Sequence, residues 1–292
     1  MFMLKQAICY PGSKEKPNED TIGYGDDYFF VMDGASCLLG NNIIDPVSDS
    51  AWMVRSIKDG LCLRFDNKDS RPIKEILKEV VAEVRKEYVD ALSLKGILAP
   101  DDSPSAGIVI FRERNDNLEY FSAGDCVGVY TLADGTGVFH QDGTVPALDD
   151  TVLSEMARLH KETGVSMMEA KALCNDLLVS NRLLRNKPGG YWILDLLSDG
   201  GIEHGFEMVI PFTHPVSAAA FSDGFAQLTE VFGEYSDYIE MFDAMRCSDL
   251  EEMYRMLCKL QDEDPLLCNF PRFKHRDDAC AVWGMFSPGT SI

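Results

Sequence analysis

The sequence predicts an α+β fold in which antiparallel strands and amphipathic helices share one compact domain. Three observations carry this: short strand-like runs broken by turns fill residues 105–140, amphipathic helical patterns lie on both sides of them, and no repeat, low-complexity tract or linker divides the 292 residues.

Leu4 to Tyr10 and Asp27 to Met32 read as strands, and Pro11, Gly12, Pro17 and Gly25 interrupt regular structure between them. The second strand ends abruptly at Asp33-Gly34. A helix begins near Pro46, a residue suited to a first turn, with Val47, Ala51, Trp52, Val54, Ile57 and Leu61 apolar. The helix after Pro72 is the clearest element. Its residues Ile73, Ile76, Leu77, Val80, Val81, Val84 and Tyr88 recur at threes and fours, while lysine, arginine and glutamate fill the other face. From Ser105 the pattern changes to the strands Ala106–Phe111, Leu118–Ser122, Val127–Leu132 and Gly137–His140. Turns at Asn115-Asp116-Asn117, Gly124-Asp125 and Asp134-Gly135 make these an antiparallel meander. Helices over about Asp150–Glu162 and Ser166–Leu184 precede Gly189-Gly190 and an aromatic strand, Tyr191–Leu196. Val216–Phe221 is a continuous apolar run fit for a buried strand, which Ser222-Asp223-Gly224 terminates. Helices near Ser236–Met245 and Ser248–Gln261 lead to a last strand, Ala279–Phe286, entered through Arg276-Asp277-Asp278.

Composition excludes several classes. With 48 Asp and Glu against 27 Lys and Arg, the formal charge of −21 argues against nucleic-acid binding. No apolar run reaches the roughly 18 residues of a membrane helix. Lys5 and Gln6 interrupt the first apolar stretch, so a secretory signal is not expected and a cytoplasmic location is. The 9 cysteines are scattered without a C-x-x-C pair and read as packed thiols in a reducing compartment.

Carboxylates recur where apolar strands end: Asp33-Gly34, Gly124-Asp125, Asp223-Gly224 and, on entry to the last strand, Asp277-Asp278. Each alone is an ordinary turn signal. If the strand ends share one rim, the clustered carboxylates repel unless cations bind between them, and all-oxygen donors suit magnesium or manganese. The five histidines show no metal-ligand spacing, although His275 lies beside the last motif. Ser198-Asp199-Gly200 repeats the S-D-G pattern but precedes another glycine and reads as a hairpin tip, so Asp223 is preferred.

In order, Asn18-Glu19-Asp20, Val31-Met32-Asp33-Gly34, Ser122-Ala123-Gly124-Asp125, Phe221-Ser222-Asp223-Gly224 and Arg276-Asp277-Asp278-Ala279-Cys280-Ala281-Val282 resemble the motifs of metal-dependent Ser/Thr protein phosphatases of the protein phosphatase 2C type. The resemblance spans nearly the whole chain. It implies a four-layer α-β-β-α sandwich with two central antiparallel sheets flanked by helices, forming a single domain over 1–292 with a variable helical flap at about 150–190. It also implies two Mn2+ or Mg2+ ions and a phosphorylated protein as substrate. Asp33 would bridge the ions; the Gly34 carbonyl and Glu19 would serve one, Asp223 and Asp277 the other. Asp20 would stand behind them, and Asp125 matches the position of a weaker third ion. Hydrolysis of phosphoserine or phosphothreonine would then use a metal-activated water, with no protein nucleophile.

Two positions depart from the family pattern. Glu15 stands where many members carry a phosphate-gripping arginine, leaving Lys14 and Lys16 as the nearby cations; a lysine supplies a point charge without the bidentate fork. Ala35 replaces a histidine proposed as proton donor in many eukaryotic relatives. The missing arginine motivates a second reading, a catalytically silent relative that binds a phosphoprotein or signalling partner. A third is a phosphatase for a small phosphorylated metabolite.

Overall fold

The computed structural model describes residues 2–39, 42–98, 100, 102–211 and 214–287; Met1 and 288–292, the outer limits of the expected domain, lie outside these. Strands β1 (Phe2–Tyr10), β2 (Asp20–Tyr24) and β3 (Tyr28–Ala35) precede helices α1 (Asp49–Asp66) and α2 (Ile73–Leu94). Strands β4 (Ser105–Arg114), β5 (Asn117–Ala123), β6 (Val127–Thr131) and β7 (Gly137–His140) come next, then helices α3 (Thr144–Thr163), α4 (Met167–Leu173) and α5 (Asn175–Arg182). The chain continues through β8 (Leu194–Asp195), α6 (Gly200–Glu203), β9 (Phe206–Pro211) and β10 (Val216–Phe221). It closes with α7 (Asp223–Glu230), α8 (Tyr238–Cys247), α9 (Leu250–Glu263) and β11 (Ala279–Phe286).

The strands form two antiparallel sheets, one ordered β1-β11-β10-β6-β7 and the other β2-β3-β4-β5-β9 with β8 added to β4. Side-chain alternation explains why both are so apolar. Phe29 and Val31 face the space between the sheets with Val109, Ala220 and Val282, whereas Phe30 and Met32 join Ile57 and Val81 of the helices that cover the outer face. In β10, Ala218 and Ala220 enter the middle core while Ala219 and Phe221 pack with α7, α8 and α9. Both faces of both sheets are therefore covered, giving the expected four-layer α-β-β-α arrangement. Burying each large apolar side chain contributes about 1.5–3 kcal/mol.

Several elements differ from the sequence reading. The meander is divided, since β4 and β5 belong to one sheet and β6 and β7 to the other. Gly124 makes the crossing: its φ of +81° is the left-handed conformation glycine tolerates, and a Cβ there would stand 2.8 Å from the Gly107 Cα. The expected strand over Tyr191–Leu196 contracts to Leu194–Asp195 on β4. Ser198-Asp199-Gly200 is no hairpin tip but the entry to α6, with Asp199 bonded to Arg85 at 2.5 Å. The single helix expected over Ser166–Leu184 is broken at Cys174 into α4 and α5. Together with α3 these helices gather around Val152, Met156, Met167 and Ala170, and Leu267 and Phe273 from the loop before β11 complete that small core.

Candidate metal centre

The sheet register assembles one acidic rim. Asp20 opens β2 directly opposite Asp33 of β3. Asp223 begins α7 immediately after β10, Asp277 immediately precedes β11, and those two strands pair Phe221 with Ala281. Asp125 lies at the crossing between the sheets, between β5 and β6. Thus Asp20, Asp33, Asp125, Asp223 and Asp277 come from strand ends far apart in sequence and share one end of the sandwich, where most sense one another's charge.

Glycines and hydrogen bonds fix that end tightly. The Gly34 amide donates to the Glu19 carbonyl at 3.0 Å, and a Cβ at 34 would approach that oxygen to 2.7 Å. The Glu19 carboxylate accepts hydroxyl bonds from Ser36 and Ser48, which orient it. Asp278 accepts the Gly12 amide at 2.8 Å and the Glu19 amide at 2.7 Å, so it ties the N-terminal loop to the entry of β11. The Ser222 hydroxyl accepts the Cys280 amide at 3.0 Å, locking the two aspartate-bearing strand ends together. Of these supporting groups, Ser36 and Ser48 were not singled out by sequence, and Asp278 was named only as part of a pair, with no role of its own. Asp278 had a signal, the doubled Asp277-Asp278; the serines had none.

Burial raises the pKa of the Asp33 carboxyl well above the usual carboxylate range, and the charges of Asp20, Asp223 and Asp125 add to it. Asp20 is likewise pushed well up by burial, against a relieving bond from Ser222. Asp223 is pushed to about 7 by burial and then by Asp277 and Asp125. Asp125 reaches about 7 through burial and Asp149, and Asp149, on α3, reaches about 7 through burial and Asp223. Asp33 and Asp223 each act on the ionisation of the other's carboxyl. The buried Asp20 Oδ2 has no hydrogen-bond partner. Among the described residues no three His, Cys, Asp or Glu side chains already close on a single point. Asp277 Oδ1 instead contacts the Lys274 ammonium at 2.6 Å and the Asp278 amide at 2.9 Å. The all-oxygen donor set, its excess of negative charge and the orphaned Asp20 oxygen fit a hard divalent cation such as Mn2+ or Mg2+.

Two cavities open on this rim. The first, about 400 Å³, is walled by Asp125, Asp149, Asp223, Glu230, Lys274 and Asp277 among others. The second, about 440 Å³, has Lys16, Glu19, Ser36, Cys37, Lys274 and Asp277 in its wall. They meet at Lys274 and Asp277. Lys16 therefore reaches the site, whereas Lys14 and Glu15 are exposed and line neither cavity. His275 also lines neither; its ring meets Asp262 at 3.0 Å. Lys274, Asp149 and Glu230 escaped the sequence reading. Lys274 had a local signal, a cation three residues before Asp277, but Asp149 and Glu230 are brought in only by the placement of α3 and α7.

No family model and no curated protein matches this sequence. Solved structures do. The Ser/Thr phosphatase PstP/Ppp of Mycobacterium tuberculosis superposes with a TM-score of 0.57 at 14% identity, covering 98% of this chain and 100% of that one. The fold is that of the protein phosphatase 2C type. A structure of the PstP catalytic domain in complex with two manganese ions gives a TM-score of 0.54 at 14% identity over 97% of this chain and 98% of that one. Stp1 of Staphylococcus aureus gives 0.51 at 11% identity, covering 98% and 96%. The phosphatase 2C fold is thus retained from end to end at identities that carry architecture and not chemistry.

Proposed function

We propose that this chain is a metal-dependent phosphatase, a phosphoric monoester hydrolase acting on phosphoserine and phosphothreonine in proteins. The observation that supports it is the convergence of Asp33, Asp125, Asp223 and Asp277 with too little positive charge to neutralise them, at the end of the sandwich where two cavities meet. In this reading Asp33, Asp223 and Asp277 are the catalytic carboxylates that hold two Mn2+ or Mg2+ ions. The Gly34 carbonyl, Glu19 and Asp20 support them, and Asp125 offers a place to a third ion. Such ions, when bound, activate water and neutralise phosphoryl oxygens.

The protein's own residues prepare the site. Ser36 and Ser48 aim the Glu19 carboxylate, Asp278 holds the Gly12 and Glu19 amides in place, and Ser222 spaces Asp223 from Asp277 through its bond to Cys280. The two cavities leave room for an extended phosphorylated segment to cross the rim. All nine cysteines are free, and no described helix is long and apolar enough to cross a membrane.

The test is phosphate release from a phosphothreonine peptide with Mn2+, with Mg2+ and with chelator, beside the Asp33→Ala variant. Release should need a metal and fall about a thousandfold or more in the variant, several kcal/mol of lost transition-state stabilisation, with the circular-dichroism spectrum unchanged. Metal binding by calorimetry without release under any condition would replace this reading by the silent, phosphoprotein-binding one.

A further inference from the structure

Lys274 and Lys16 line the second cavity, Lys274 also lines the first, and a third ammonium, Lys171, is bonded to the Phe273 carbonyl in the wall of the first. Lys274, on the loop before β11, lines both cavities and contacts Asp277 at 2.6 Å. Its loop is rigid, because the buried Arg272 guanidinium bonds Asp264, the Gln261 and Phe270 carbonyls and the His275 carbonyl. Lys171, on α4, donates to the Phe273 carbonyl at 3.0 Å and lies 5.4 Å above the Phe273 ring, one residue from Lys274. Lys16 comes from the N-terminal loop and lines the second cavity. Burial and the charge of Lys274 lower the Lys171 pKa, Asp277 opposes them, and Lys16 adds a smaller lowering that Asp149 opposes. Burial disfavours the Lys274 charge, but Asp277, Asp223 and Asp33 outweigh it and hold the ammonium above the usual lysine range. Asp277 is the anion at hand, and in the reading above it is committed to a metal ion. Arg276, also in the wall of the second cavity, is taken up by Asp262 at 2.6 Å. Lys274 is left as the cation beside the candidate metal ligands that faces both cavities.

We propose that Lys274, assisted by Lys16 and Lys171, is the seat for the dianionic phosphate of the substrate, taking the place of a guanidinium at position 15. This rests on the phosphatase reading. Flexible ammonium groups impose less orientation than an arginine fork, so the seat would accept phosphoserine and phosphothreonine with similar efficiency, and the share from α4 would make the flap part of the phosphate site.

The test measures KM and kcat of the Mn2+-loaded enzyme on a phosphothreonine peptide, with inhibition by inorganic phosphate, for the natural protein, Lys274→Ala and Lys274→Arg. A charge-assisted hydrogen bond to phosphate predicts a KM about ten to a hundredfold higher in Lys274→Ala, a smaller fall in kcat, and phosphate inhibition weakened by the same factor. Lys274→Arg should recover most of both. Lys16→Ala and Lys171→Ala should each shift KM severalfold in the same direction. Unchanged KM and phosphate inhibition in Lys274→Ala, with only the Mn2+ requirement altered, would overturn the seat and leave Lys274 as a counter-ion to Asp277. If the natural protein releases no phosphate at all, the catalytic reading fails separately. Calorimetric titration with inorganic phosphate in the presence of Mn2+ then decides the seat: binding lost in Lys274→Ala supports it, and binding retained or absent in both proteins overturns it.

Discussion

Asp264 is buried and Asp223 half-buried at a cavity wall, and they are treated in opposite ways. Asp264 is 4% exposed and accepts the Cys268 and Phe270 amides at 3.1 and 3.0 Å and the Arg272 guanidinium, itself 3% exposed, at 3.1 Å. Burial alone would raise its pKa, but the amides and Arg272 outweigh burial and hold it below the usual range. Asp223 has carboxylates for neighbours and is pushed to about 7. A buried charge whose partner is built into the chain serves architecture; one surrounded by its own sign waits for a partner from outside.

Breaking the satisfied pair should cost most. Arg272→Leu leaves Asp264 buried and unpaired, and a loss of about 3–5 kcal/mol in urea unfolding is expected, with weaker Mn2+ binding because the same loop carries Lys274 and Asp277. The unsatisfied cluster should respond to pH instead. Asp125, Asp149 and Asp223 sit near 7 in the folded protein against about 4 in the unfolded chain. Between those values the folded form binds more protons, so chelator-treated protein should be most stable at the acid side of this window and lose on the order of 1 to 3 kcal/mol as pH rises through 7. Asp223→Asn should flatten that slope in thermal melts, and Mn2+ should reverse it, since metal and protons compete for the same oxygens. The smallest effect tests the support of the site: Ser36→Ala removes one of the hydroxyls on Glu19 and should weaken Mn2+ affinity about tenfold in calorimetry, with little change in melting temperature.

Much of this was legible because the candidate metal-binding aspartates punctuate strong strands. Val31-Met32 before Asp33 and Ala219-Ala220-Phe221 before Asp223 are apolar on both faces, so each strand end could be placed within a residue or two. What escaped has identifiable causes. In β2, Gly23 resembles a turn residue, yet it is glycine because the Phe30 ring fills the place of its Cβ. In β9, Phe206–Pro211 alternates poorly, is largely exposed at a sheet edge and ends at proline. Helix α7 was hidden because Ser222-Asp223-Gly224 spells a turn while serving as a helix start. The four layers came from the resemblance and not from periodicity. Lys274 depends on a loop shaped by Arg272, a tertiary fact no local pattern records.

The last of the described strands, β11, lies between β1 and β10 in its sheet, and Asp278 at its entry binds Gly12 and Glu19. A ribosome makes β1 first and β11 last. At ordinary elongation rates β1 therefore waits roughly a quarter of a minute to a minute for the neighbour that completes its sheet. Through that interval β1 lacks its sheet partner and stays open to wrong ones, and the rim has Asp33 but not Asp277. The order of synthesis thus leaves β1 without its sheet neighbour, and the candidate metal centre without Asp277, until β11 has been made.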